Sequence, residues 1–245
     1  MCPQLLSQIK GTGSHTFGND VLTQNIELGA LVSRAIAGWA ITESHLGNAF
    51  AELVGPKQTA ALSMYAAMRS FELQRAMLEA IVVEKLPKTS ARIFCATLAV
   101  ISRDASIRHK FAHWIWGRSM DIGLSTEALL LVEPKHFWRL RTLKIAFAKK
   151  KARNPHGPYG LINRPWLSSK VIYVWRRDDL IEACRKMETS FARANALNGM
   201  LSSKPAARRQ IQNQLKNVPE IHSQLRRMYP TGKNTPHNSV KQPQK

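Results

Sequence analysis

The chain has 245 residues, 44 % of them apolar, with 36 Lys and Arg against 16 Asp and Glu and a formal charge of +20. That much apolar content builds a core and excludes wholesale disorder, and the lack of any run of 18 apolar residues excludes a membrane-spanning helix. The charge is lopsided, about +1 over residues 1–133 and +19 over residues 134–245, which favours a polyanionic partner, nucleic acid first and an anionic membrane surface second.

Residues 1–19 lack the basic-then-apolar layout of a secretory signal and read as a flexible leader. Helical periodicity begins at about residue 20, where Leu28, Val32, Ile36, Trp39, Leu46 and Phe50 recur at steps of three and four. Glu43 falls on that stripe between Trp39 and Leu46, where a carboxylate is costly unless paired, so an ion pair with Arg108 or Lys110 is the functional expectation and a stripe-edge residue reaching water the plain one. Gly55-Pro56 ends this helix. A second runs from about Thr59 to Glu84 and stops at Leu86-Pro87. The short link between them predicts an antiparallel pair.

Ala91 to Ile101 reads as a central helix, interrupted at Ser102-Arg103-Asp104. A new helix, capped by Ser102 or Asp104, then runs through Trp116 and stops at Gly117. Ala128 to Val132 is a short apolar run whose periodicity fits either a strand or a turn of helix. Basic residues dominate from Arg139 to Arg153, and Asn154 to Gly160 is a loop by composition. Val171 to Trp175 has strand chemistry and pairs with residues 128–132 in a small two-stranded element. Asp179 with Glu182 fits a capping box opening a helix to about Met200. Residues 206–229 form a basic amphipathic helix interrupted at Pro219, and 230–245 are disordered by composition. The expected fold is therefore all-α, an antiparallel helical bundle over residues 20–203. A basic insertion around 134–177 interrupts it, and a basic, largely disordered tail over 204–245 follows it.

Cys2, Cys95 and Cys184 show neither a CxxC unit nor zinc-ligand spacing and read as buried or terminal thiols of a reducing, cytoplasmic compartment. No metal or cofactor is expected. A metal on His109 and His113 would need a further ligand, with Asp104 near in sequence.

Reactive side chains crowd one stretch, Arg108-His109-Lys110-Phe111-Ala112-His113. His109 and His113 are four apart and share a helix face. Arg108 and His113 are five apart, about 140° around an ideal helix and roughly 7.5 Å along it, so the ideal geometry keeps them from touching. Phe111, Ala112 and Ile115 would anchor the segment. Trp114 and Trp116 are packing residues by default, with base stacking as the functional alternative.

Arg-x4-His, with a polar residue after the Arg and Ala before the His, resembles the signature of the HEPN superfamily, and the resemblance spans roughly residues 20–200. It implies a metal-independent endoribonuclease of the toxin, abortive-infection or other phage-defence kind, working as a homodimer that sets two motifs across one RNA cleft. Carried onto this chain, Arg108 and His113 are the catalytic pair and His109 the supporting polar residue. Some toxin members carry a Tyr two residues after the His, where a partner nucleotidyltransferase modifies it. Here that position is Ile115, which puts that form of antitoxin control in doubt, although an antitoxin or regulatory protein of another kind fits the class.

Backbone-contacting cations are expected at Lys144, Lys149, Lys150, Lys151 and Arg153, at Arg176 and Arg177, and at Arg164, Lys170, Arg208, Arg209, Arg226 and Arg227. Two functions stand side by side on these residues: RNA cleavage by 2′-hydroxyl attack, and a non-catalytic helical module that binds nucleic acid or a partner protein.

Overall fold

The computed structural model describes residues 3–9, 15–18, 20–119, 128–153 and 167–230. The protein is mainly helical, but it is not all-α: among the described residues five strands form one antiparallel sheet. In chain order, β1 (Gln4–Leu5), β2 (His15–Phe17), α1 (Val21–Gln24), α2 (Ile26–Val54), α3 (Gln58–Ala67), α4 (Phe71–Lys85) and α5 (Lys88–His113) come first. Then follow β3 (Ile115–Ser119), β4 (Ala128–Val132), α6 (Pro134–Arg153), β5 (Ile172–Arg176), α7 (Arg177–Ser202), α8 (Pro205–Asn217) and α9 (Pro219–Met228). The chain divides into two compact units, residues 1–45 with 103–192, and residues 46–102 with 193–245.

The first unit contains the sheet, in the order β1-β5-β4-β3-β2. Leu130 pairs with Val174 and Val132 with Ile172, as expected for two apolar runs. Three further strands extend this pair. Ile115 pairs with Val132 through β3, Phe17 with Gly117 through β2, and Gln4 with Val174 through β1. The leader is corrected accordingly, since its described residues 4–5 and 15–17 are edge strands. Strand β4 is buried along its whole length because both its faces are covered. One face, with Leu130, Val132, Ile172 and Val174, packs with Leu6 and with Phe137 of α6. The alternate residues of the pleat face the other way, where Trp175 meets Phe111 of α5.

The second unit is helical among its described residues. Helix α2 ends at Gly55, whose φ of +116° suits glycine. The expected single helix over Thr59–Glu84 is two helices, because the Ser70 hydroxyl accepts from the Leu73 N–H (3.2 Å) and starts α4 afresh. The tail from 204 is helical as far as Met228, broken at Pro219 as expected. Its helices are held by Gln212 Nε2 donating to Ser90 Oγ (2.8 Å) and by an Arg193–Glu220 ion pair (3.4 Å).

Helix α5 is corrected as well, for it runs unbroken through residues 102–104. The Ser102 hydroxyl donates back to the Ala99 carbonyl (2.8 Å), so it caps nothing. Asp104 Oδ2 accepts from the Ser190 hydroxyl (2.6 Å), so it too is engaged away from the helix backbone. Trp116 and Gly117 lie in β3 rather than at a helix end. Asp179 is likewise not an N-cap: α7 starts at Arg177, and the Asp179 carboxylate reaches back to the Arg176 N–H (3.1 Å), the part a third helical residue takes in a capping box.

Cys95 and Cys184 are buried and free. Burial raises both thiols, Cys95 to about 11, and the Cys184 thiol donates to the Leu31 carbonyl (3.2 Å). No helix among the described residues is long and apolar enough to cross a membrane.

Candidate active site

The Arg108–His113 segment forms the last turns of the 26-residue α5, not the start of a short helix as expected. Its apolar side is pinned first. Phe111, 2 % exposed, lies edge-on to Trp175 at 4.7 Å between ring centroids, and Trp116 Nε1 donates to the Phe111 carbonyl (3.1 Å). Fixing Phe111 inward turns His109 and His113 outward, since they are two residues away on either side, and both are exposed.

Arg108 Nη1 lies 3.4 Å from His113 Nε2. This overturns the expectation that the two cannot touch within one chain. The guanidinium ends a long flexible stem, and His113 is the final residue of α5, where no following turn crowds its ring. The His109 and His113 rings are 4.8 Å apart between centroids. The three side chains thus form one cluster, its two histidines exposed and Arg108 half-buried. His113 is held below the ordinary histidine range, chiefly by desolvation and then by the neighbouring charges of His109 and Arg108.

The Lys110 ammonium lies over the rings of Trp114 (5.4 Å) and Tyr173 (5.5 Å). Those rings pack on each other at 5.7 Å, so Trp114 has the packing role expected of it, with Tyr173 as its partner. The Lys110–Trp114 spacing of four was legible in the sequence, whereas Tyr173 comes from β5 and was not.

No family model, curated protein or solved structure matches the chain. What the site can do rests on its own residues.

Glu43 does not join the site. The buried stripe of α2 steps from Trp39 to Thr42 to Leu46, so Thr42 takes the inward position and Glu43 is half-buried beside it, with no ion pair among the described residues. Of the expected nucleic-acid contacts, Lys144, Lys149 and Arg153 are exposed on α6, while Arg176 and Arg177 are exposed where β5 meets α7. Lys150 and Lys151 belong to α6, but their side chains lie outside the described residues, as does Arg164. Among the described residues no three His, Cys, Asp or Glu side chains are grouped to hold a metal ion. Asp104, the ligand considered for His109 and His113, is bonded to Ser190 instead.

Proposed function

We propose that this chain is a metal-independent endoribonuclease in which His113 and Arg108 are the reacting pair. The observation that supports it most is the 3.4 Å contact between Arg108 Nη1 and His113 Nε2 at the exposed end of α5. With its pKa depressed, His113 is neutral at pH 7, and the nitrogen lone pair that accepts from Arg108 is the one that takes a proton. When phosphate draws the guanidinium away, Nε2 is free to accept the ribose 2′-OH proton. The 2′-oxygen bonds to phosphorus and the P–O5′ bond breaks. The imidazolium so formed at His113 gives a proton to the leaving oxygen, and the products are a 2′,3′-cyclic phosphate and a 5′-hydroxyl. Arg108 stays charged throughout and offers its fork of donors to the non-bridging oxygens. DNA lacks the attacking hydroxyl.

Because the pair meets within one chain, the chemistry needs no residue from a second copy, and a homodimer would serve to enclose the RNA. A role in a toxin or defence system is carried by the HEPN resemblance alone. A second reading, RNA binding without cleavage, draws on α6, where Trp138 is 64 % exposed beside the basic side chains.

The test is RNA cleavage by the full chain in EDTA. The parent is expected to cleave, and His113→Ala to lose about 10²–10⁴-fold in rate while still binding RNA. Equal cleavage by both contradicts the proposal, and binding by the parent without cleavage selects the second reading.

A further inference from the structure

Lys110 and Ile107, within and beside the motif, line a cavity of about 370 Å³ in the first unit. That volume lies in the usual range for a bound small molecule, roughly 300–1,000 Å³. Its wall carries three cations, Arg103, Lys110 and Lys186, and three carboxylates, Asp104, Asp179 and Glu182. A wall so balanced suits a ligand that is anionic at one end and rich in N–H donors at the other, rather than a bare anion. Two lining residues are almost wholly buried, Trp175 at 4 % and Asp179 at 7 % exposure. Each holds a buried polar atom without a partner: the indole Nε1, a donor, and the carboxylate Oδ1, an acceptor. Leaving either unpaired is unfavourable, a penalty relieved if the wall opens to a ligand that meets both.

We propose that this cavity is the base pocket of the RNA-cleaving site and takes one unstacked guanine, its phosphate lying toward Lys110. The inference rests on the ribonuclease reading above. Lys110 and His113 are three apart on α5 and so are neighbours on its surface, which sets a nucleotide held by Lys110 beside the reacting pair. Guanine presents two adjacent donors, N1–H and N2–H, next to the acceptor O6. That edge matches a wall offering the unpaired Asp179 carboxylate oxygen and one indole N–H better than the single-donor edges of uracil, cytosine or adenine. A site built to pair with those donors rejects bases that leave its polar groups unpaired.

The full chain is titrated calorimetrically with the 3′-monophosphates of guanosine, adenosine, cytidine and uridine, and with inorganic phosphate. Three proteins are compared: the parent, His113→Ala, and Ser106→Trp, which places an indole at the mouth of the cavity from an exposed lining position. The parent and His113→Ala should both bind the guanosine nucleotide at least tenfold more tightly than the others and than phosphate. Ser106→Trp should lose that preference at an unchanged melting temperature. Equal binding of all four nucleotides, preference for another base, or a preference that survives Ser106→Trp overturns the pocket. Those results leave His113-dependent cleavage standing, whereas guanosine binding by a chain that cleaves no RNA overturns only the nuclease.

Discussion

Replacing Arg108 separates a catalytic role from a structural one. Its contact with His113 is at the long end of hydrogen bonding and joins side chains at the protein surface, so it contributes little to the fold. Arg108→Ala should change stability by no more than about 0.5 kcal/mol, which for a chain of this size is about 1–2 °C in Tm. In the transition state the same guanidinium faces charge that develops only during reaction. Losing one such donor typically costs about 10²–10³-fold in rate, or ~2.7–4 kcal/mol, several times the effect on the fold. Arg108→Lys keeps the charge but not the planar fork, and should recover only part of the rate. The pH profile supplies a second readout. Arg108 is the last of the three causes that depress His113, so Arg108→Ala moves the His113 pKa up, toward the ordinary value. The active form is the neutral base, so the acidic limb of kcat/KM moves to higher pH in Arg108→Ala and stays near its place in Arg108→Lys. Single-turnover cleavage across about pH 5 to 8, thermal unfolding and an NMR titration of His113 measure all three effects. A rate within threefold of the parent, or a loss of stability large enough to account for the loss of rate, refutes the reasoning.

At Gly117, a methyl group would lie 2.4 Å from Phe17 Cδ1 and 2.7 Å from the Thr16 carbonyl oxygen, so Gly117→Ala must push β2 away from β3. It should cost about 1–3 kcal/mol in urea unfolding, and markedly less in a Phe17→Ala background, where the first clash is gone; additive costs would show that the strands are not packed in this way. On α6, Lys149→Gln and Arg153→Gln should each lower the slope of log K against log salt for RNA binding by about one, leaving cleavage at saturating RNA unchanged. An unchanged slope in both variants removes α6 from the interface. Burial depresses His15 in edge strand β2. Its share of stability is therefore complete above the ordinary histidine pKa of about 6.5 and is lost as pH falls through the lower folded value. Unfolding of His15→Gln should lack that component, and an identical pH profile for parent and variant would contradict it.

The long helices were legible because Leu28, Val32, Trp39, Leu46 and Phe50 repeat at helical spacing and are buried as that spacing requires. The pairing of β4 with β5 was legible from two dense apolar runs. The rest of the sheet was not, since β1 and β2 are two and three residues long and β3 is split by Gly117 and lies directly after a helix. Strands so short carry almost no period of their own and exist because β4 and β5 offer them edges, which is a non-local fact. Polar residues misled where local and tertiary roles compete. Ser102 and Asp104 resemble caps but bond to Ala99 and Ser190, whereas Ser70, an actual cap, sits in a run otherwise rich in helix formers. At the site, the sequence located the cluster but ideal-helix geometry kept Arg108 from His113. A flexible guanidinium at a helix end escapes that constraint.

The most direct test of the central claim uses an RNA substrate and its counterpart carrying a single 2′-deoxyribose immediately 5′ to the scissile phosphate, each incubated with parent and His113→Ala in EDTA. The parent is expected to cut only the all-ribose strand, leaving a 2′,3′-cyclic phosphate, and His113→Ala to cut neither at a comparable rate. Cleavage of the deoxy-substituted strand at that bond, or undiminished cleavage by His113→Ala, would contradict it.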